Sequence, residues 1–312
     1  MAPVKGITDH IYHKAFESFF KGFDVFYTPF ICAQGPNIPK ISYIEEALQR
    51  DIKTKVVPQI LGNCPKNIIA MAKGFLAAKS DMININMGCP IYGVVKKTKG
   101  SGLLDNTQKA EKFITECTGL KPEKLKISIK IRLGYAQKDS LFKLLPVINR
   151  SEIEEIILHP RLGIQIYSGS PDLEKYEKFY FSCSHKKVYN GDIKSVQDFL
   201  AIKKRFPDTH AFMIGRGALS NPFLPSLIKG LPPVDPKQAR IKIKEFHYHL
   251  LHEYQKQIKT PGGLLSRMKA HWFYLSCTFK KGPCILGKIQ RINCMDEYAR
   301  CVEKIFDNTE YH

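Results

Sequence analysis

The chain has 312 residues, 44% of them hydrophobic and 11% aromatic, with a formal net charge of +19. That length and apolar content suit one large domain with a smaller second one and exclude a disordered chain, while the lack of an apolar run of about 18 residues excludes a membrane-spanning helix. The excess of 48 Lys and Arg over 29 Asp and Glu favours a polyanionic partner, because phosphate contacts release counterions, although 38 Lys against 10 Arg is also what an AT-rich coding bias produces.

Taken in order, short β-branched and aromatic runs predict eight strands: one near residues 1–4, then 25–28, 56–61, 82–86, 127–131, 156–159, 187–190 and 212–215. Amphipathic spacing predicts helices over 10–20, 67–78 and 195–206 between them. Strand and helix alternate, which indicates a parallel sheet. Eight units in about 230 residues suit an α/β (β/α)8 TIM barrel rather than an open sheet, and no Gly-x-Gly-x-x-Gly follows the first strand as a doubly wound fold would have it. The pattern breaks at Lys229-Gly230-Leu231-Pro232-Pro233 and is helical afterwards, over 238–257, 264–279 and 295–306. The expected division is therefore a barrel at 1–230 and a small C-terminal all-helical domain at 231–312, whose 14 basic against 8 acidic residues do not make it a special basic arm.

The start, Met1-Ala2-Pro3-Val4-Lys5, has neither the charged nor the apolar region of a signal peptide, so the protein is expected in the cytoplasm. Nine cysteines, an odd number with no Cys-x-x-Cys pair, are expected as free thiols. Cys277, Cys284, Cys294 and Cys301 cluster near the end but are expected as small fillers, and no metal is expected.

In such a barrel chemistry sits at the C-terminal strand ends. Six of those ends offer polar groups: Gln59, Asn86, Lys130, His159, Asn190 with Asp192, and Arg216. Together they imply a site for a polar cofactor and substrate. Asn190-Gly191-Asp192 and Gly215-Arg216-Gly217 follow the seventh and eighth strands, where glycines let a phosphate approach the backbone and Arg216 can add a bidentate contact. Lys130 can stabilise negative charge on a flavin ring; a structural ion pair is its other reading. His159 fits either a cofactor contact or a structural histidine. Cys89, in a loop after the fourth strand and followed by Pro90, can give a proton while it is a thiol; on local grounds alone it reads as a buried filler.

The segments Ala2-Pro3-Val4-Lys5-Gly6-Ile7-Thr8-Asp9, Pro58-Gln59-Ile60, Asn84-Ile85-Asn86-Met87-Gly88-Cys89-Pro90, Gly100-Ser101-Gly102-Leu103-Leu104, Ile129-Lys130-Ile131-Arg132-Leu133-Gly134, His159-Pro160-Arg161, Asn190-Gly191-Asp192-Ile193 and Met213-Ile214-Gly215-Arg216-Gly217 occur in this order. In them, and in Arg267-Met268-Lys269-Ala270-His271 of the tail, the chain resembles the bacterial-type tRNA-dihydrouridine synthases over nearly its whole length. The resemblance implies FMN as cofactor and NADPH (or NADH) as transient reductant. It implies that hydride goes from FMN to C6 of a uracil in the tRNA D-loop, and that Cys89 gives the proton to C5. Pro3, Val4 and Lys5 would line the flavin through backbone, Gln59, Lys130 and His159 would contact its ring and ribityl chain, and Asn190, Gly191, Asp192, Gly215 and Arg216 would hold its phosphate. Asn86 would place the uracil, with Lys96, Lys97 and Arg161 meeting the RNA, and a monomer is expected.

Three positions depart from the family's pattern: Tyr27-Thr28-Pro29-Phe30 where a glutamate is usual, Leu162-Gly163 where a second arginine is usual, and Ile91-Tyr92-Gly93 where a lysine pair often stands. Two other readings fit parts of the pattern: a flavin barrel acting on a small molecule, against which the lysine surplus and the helical tail count, and a non-catalytic RNA-binding barrel, against which Cys89, Lys130 and His159 count.

Overall fold

The β-branched runs form parallel strands: β1 (Val25–Tyr27), β2 (Ile31–Cys32), β3 (Lys55–Val57), β4 (Gln59–Leu61), β5 (Met82–Met87), β6 (Lys126–Gly134), β7 (Glu155–Leu162), β8 (Lys186–Tyr189) and β9 (Ala211–Phe212). The structure is a computed structural model that describes residues 1–38, 40–48 and 51–309. The last three residues of the expected 231–312 unit thus lie outside the described residues. With helices outside and side chains inside, a strand here is covered on both faces, and β5 and β7 are buried along their whole length.

The strand expected at 56–61 is split in two, and the one expected at 25–28 ends at Tyr27 and is followed by a second piece, β2. Proline has no N–H for a ladder, and Pro29 stands between β1 and β2 as Pro58 does between β3 and β4. Because β1 pairs with β3 and β2 with β4, each pair of pieces still works as one stave. Thr28 bridges the gap: its N–H donates to the Val57 carbonyl (3.1 Å) and its Oγ1 accepts from the Gln59 N–H (3.0 Å).

The strand expected near residues 1–4 is reduced to Met1–Ala2. The Met1 amino group donates to the Val25 carbonyl (2.5 Å), the Tyr27 N–H donates to the Met1 carbonyl (3.3 Å), and the Ala2 N–H donates to the Ile214 carbonyl (2.8 Å). The chain then turns at Val4, whose carbonyl accepts from the Ile7 N–H. Met1–Ala2 therefore joins the last stave to β1 and closes an eight-stave parallel barrel. Ala2, Tyr27, Val57, Met82, Ile157, Val188 and Met213 pack together across its interior.

The outer helices are Pro65–Ala77, Thr107–Gly119, Ser140–Arg150, Leu173–Ser182 and Val196–Arg205, and the second, fourth and fifth begin at a side-chain cap. Asn106 and Asp172 accept from the third backbone N–H beyond them, and Ser195 with Asp198 forms a reciprocal capping box. Sequence periodicity located the first and last of these five.

After Gly230 come Pro236–Gln257, Pro261–Leu275, Gly282–Arg291 and Met295–Asn308. The helix Gly282–Arg291 is additional to the expected three. None of the described helices is long and apolar enough to cross a membrane. Their core is shared with the barrel's first helix, His10–Phe19: Tyr12 meets Phe246 edge-on (5.6 Å between ring centres) and stacks on His271 (5.5 Å). At the centre of the C-terminal helices the buried Tyr298 hydroxyl accepts from Trp272 Nε1 (2.8 Å) and meets His247 Nε2 (2.7 Å).

Removing that hydroxyl leaves two buried ring nitrogens without a partner, so Tyr298→Phe should lower unfolding stability by about 1–3 kcal/mol, as read from the shift of a urea unfolding midpoint.

Candidate active site

A cavity of about 310 Å³ opens at the C-terminal ends of the staves. Cys89, Asn86, Pro3, Val4, Lys5, Gln59, Lys130, His159, Asn190, Gly191, Asp192, Gly215 and Arg216 all line it. They come from seven staves and the loops that follow them, and only barrel closure brings them together.

Cys89 is held by the turn that starts at the end of β5. Asn86 Oδ1 accepts from the N–H groups of Gly88 (3.1 Å) and Cys89 (2.9 Å), an Asx-type turn. From the other side the Ser101 N–H and Oγ both donate to the Cys89 carbonyl at 3.0 Å. Gly100 adopts φ +58°, and a Cβ there would lie 2.6 Å from that carbonyl, so glycine is required for the two loops to meet. Burial pushes the Cys89 thiol up, outweighing the Ile91 N–H and the cations Lys130, Arg132 and Lys5 that favour thiolate. The sulfur therefore carries its proton at neutral pH, the form a general acid needs.

The cavity around this loop is cationic. Lys130 has no hydrogen-bond acceptor or ion-pair partner among the described residues, and burial, reinforced by the neighbouring Arg132 charge, pulls its ammonium down to about 7. Asp192 takes a left-handed backbone conformation (φ +40°) and receives two arginines: Arg161 through both carboxylate oxygens (3.0 and 2.6 Å) and Arg216 at Oδ1 (2.7 Å). Burial works against the Asp192 charge, but these arginines overrule it and hold its carboxyl below the usual range. His159 is pushed well below the usual imidazole range by burial and then by four surrounding cations, so it is neutral. Arg161 Nη1 lies 3.1 Å from His159 Nε2 and can only donate, so the imidazole proton sits on Nδ1.

Three predicted residues do not line the cavity. Lys96 and Lys97 are exposed beyond the short helix Tyr92–Val95. Arg161 is a correction: it is 1% exposed, and its guanidinium is engaged by Asp192, His159 and the Ser168 and Gly169 carbonyls. It reaches no surface where RNA could touch it, and instead fixes Asp192 and the following loop. Next to it, a Cβ on Gly163 would lie 2.4 Å from the Tyr135 ring and 2.7 Å from Ser101 Oγ, which is why no arginine fits there.

Sequence reasoning gave no site role to Arg132, Tyr167 or Tyr274, all of which line the cavity. Arg132 donates to the Leu162 (2.7 Å) and Ile166 (2.6 Å) carbonyls, and Arg216 stacks 4.1 Å from the Tyr167 ring centre. Arg132 was legible, since it lies two residues beyond Lys130 on β6 and so on the same face. Tyr274 comes from the helix Pro261–Leu275, and only tertiary packing brings it to the rim. Among the described residues no three His, Cys, Asp or Glu side chains are grouped as a metal site requires.

A family profile described as dihydrouridine synthase matches residues 1–304. The chain belongs to the dihydrouridine synthase family. It is 26% identical to a probable tRNA-dihydrouridine synthase of Rickettsia bellii, over 88% of this chain and 84% of the relative. It is 30% identical to another from Aquifex aeolicus, over 72% and 70%, and 23% identical to the tRNA-dihydrouridine(16) synthase of Salmonella typhimurium, over 98% of both. Among solved structures, histamine dehydrogenase from Rhizobium sp. 4-9 superposes with a TM-score of 0.55 at 11% identity, over 80% of this chain and 48% of that one. A variant of NCR from Zymomonas mobilis superposes with a TM-score of 0.52 at 12% identity, over 76% and 87%. These two share the fold.

Only thiolate reacts with iodoacetamide. Peptide-resolved mass spectrometry across a pH series should therefore place the alkylation midpoint of Cys89 above the ordinary thiol value of 9.0. A midpoint at or below that value contradicts the electrostatics described for the site.

Proposed function

We propose that the protein is a tRNA-dihydrouridine synthase that reduces the 5,6 double bond of uridines in the tRNA D-loop. The observation that carries this reading is the Cys89 thiol, its loop fixed by Asn86 and Ser101 in the wall of a cationic cavity. The residues present fit an FMN. Lys130 turns an unpaired ammonium to the cavity, and Gly191 and Gly215 keep its far end open, where a Cβ would come within 3.1 Å of the Tyr189 hydroxyl and 3.2 Å of the Ala2 side chain.

Pro3, Val4 and Lys5 would line the flavin through backbone. Gln59, Lys130 and the Nδ1–H of His159 would face its ring and ribityl chain, and Asn190, Gly191, Asp192, Gly215 and Arg216 its phosphate, with Arg216 supplying the charge. When bound and reduced by NADPH, the flavin supplies the hydride to C6. Cys89 gives its proton to C5 from Sγ, and the two additions saturate the bond. Asn86 holds the Cys89 loop and places the base beside it. A uridine in a folded tRNA must leave its stack to reach this depth. Lys96, Lys97 and the residue 231–312 helices are read as gripping the surrounding backbone by charge and shape, with residues 1–230 as the catalytic unit. Arg161 has no RNA role in this reading.

Purified protein with FMN, NADPH and tRNA lacking dihydrouridine should form dihydrouridine, mapped by mass; absence of product sinks the proposal. Cys89→Ala should retain its flavin but form product at least about 10²-fold more slowly, the usual size of a general-acid contribution.

Lys130 gives a pH test. Its ammonium loses its proton near pH 7 in the free protein, and an electron-rich ligand raises that value, so binding takes up a proton above pH 7. FMN affinity should then fall as pH rises from 7 to 9, and Lys130→Met should weaken binding and flatten this dependence, as measured by flavin fluorescence quenching.

A further inference from the structure

The barrel interior holds a row of buried polar side chains, of which only Gln59 lines the cavity. Gln59, Asn84, Ser128 and Glu155 are register partners on the adjacent strands β4, β5, β6 and β7. None is more than 7% exposed. Because staves tilt and stagger in a closed barrel, this one row climbs from Glu155, at the lower end of β7, to Gln59 at the cavity floor.

The row is hydrogen-bonded end to end. Asn86 Nδ2 donates to Gln59 Oε1 (2.7 Å), Gln59 Nε2 to Asn84 Oδ1 (2.7 Å), Asn84 Nδ2 to Ser128 Oγ (2.7 Å), and Ser128 Oγ to Glu155 Oε1 (2.9 Å). Tyr27, from across the barrel, donates to the same Glu155 oxygen at 2.5 Å. Every bond points the same way, and chemistry dictates that direction. Glu155 Oε1 accepts from both hydroxyls, and Ser128, with its one proton used there, presents its lone pair to the Asn84 amide. The Asn84 carbonyl must then accept from Gln59, and the Gln59 carbonyl from Asn86. That leaves Asn86 Oδ1 turned to the N–H groups of Gly88 and Cys89. If any amide reversed, two donors or two acceptors would face each other in a dry interior, where an unpaired polar group is costly.

We propose that Glu155 is a positioning residue: through Ser128, Asn84 and Gln59 it sets the orientation of Asn86 and so holds the backbone of the Cys89 loop. It touches neither cofactor nor substrate. Only the link to rate rests on the dihydrouridine synthase reading; the link to the Cys89 loop does not.

Two variants test this. Glu155→Gln keeps the shape and removes the acceptor-only end, and Ser128→Ala cuts the row in the middle. Side-chain amide resonances of Asn86 and the backbone N–H resonance of Cys89, in ¹⁵N-labelled protein, report the orientation directly, and the Cys89 alkylation rate reports the thiol. Glu155→Gln should shift both resonances and change the alkylation rate. It should lower kcat about tenfold, as sub-ångström misplacement of a reacting group does, with KM for tRNA within about twofold. In the Ser128→Ala background, adding Glu155→Gln should change none of these further. Unmoved Asn86 and Cys89 resonances in Glu155→Gln overturn the proposal, as do equal effects with and without Ser128. If Glu155→Gln does not fold, Ser128→Ala alone must shift the same resonances, and failure to do so overturns it. A parent protein that makes no dihydrouridine removes the proposed function but leaves the resonance and alkylation outcomes decisive for the row.

Discussion

Among the described residues that line the cavity Asp192 is the only carboxylate, and it shares the lining with Lys5, Lys130, Arg132, Lys194 and Arg216. The arrangement of the rim depends on its two ion pairs. Arg161 binds both of its oxygens and Arg216 shares Oδ1, so one negative charge organises two positive ones and leaves the remainder uncompensated. Burial disfavours the Lys130 ammonium, and the neighbouring Arg132 charge, which repels it more strongly than it would in water, adds to its loss of affinity for the proton. A cavity built this way favours an anionic occupant: the same groups that are strained against each other when it holds only water become ligands when a phosphate or an electron-rich ring enters. Arg161, fully buried, is a support in this arrangement, and its charge is felt at the rim through Asp192 and His159.

Two layers of polarity divide the barrel interior. The upper one is cationic and open to the cavity. The lower one is a neutral amide–hydroxyl row ending on Glu155, and apolar side chains from seven staves fill the interior around it. Strand geometry produces both, because residues two apart on one strand share a face: Asn84 and Asn86 on β5, Ser128, Lys130 and Arg132 on β6, and Glu155, His159 and Arg161 on β7. Each strand thus contributes to the lower row and to the upper site from the same face. A buried polar row is tolerable only when every member is satisfied, so its integrity and the orientation of the upper residues stand or fall together.

This alternation marks how much of the molecule was legible in the sequence. The strands β5, β6 and β7 were plain because isoleucine or leucine recurs along each, at Ile83 and Ile85, at Ile127, Ile129 and Ile131, and at Ile156, Ile157 and Leu158. Cys89, Lys130, His159 and the two glycine-rich ends were legible because each sits at a strand end, where a barrel converges its chemistry. The short staves were less so. Met1–Ala2 is held by three backbone bonds rather than a ladder, and prolines at 29 and 58 interrupt two others, leaving strand pieces too brief for periodicity to find. Arg161 was misjudged because an arginine at a strand end reads as exposed until its partners are known, and Asp192 lies 31 residues away. The polar row was invisible for the same reason: Gln59, Asn84, Ser128 and Glu155 look like unrelated breaks in four strands until the register aligns them.

The C-terminal helices enter the site by a route that composition does not reveal. Asp9 caps the barrel's first helix by accepting from the Tyr12 N–H (3.1 Å), and it also accepts from the Tyr254 hydroxyl (2.7 Å) and from Arg267 (3.0 Å). One carboxylate therefore fixes the start of a barrel helix and two C-terminal helices at once, beside the stacked Tyr12 and His271 rings. The helix Pro261–Leu275 held in this way buries Trp272 in its own core and turns Tyr274 to the cavity. These helices are part of the wall that a substrate meets, so a perturbation at the Asp9 junction should be felt at the rim as well as in the helices. The chain segment that leads from Pro3–Lys5 at the cavity to Asp9 is four residues long. It links the cavity wall to the carboxylate that holds both C-terminal helices.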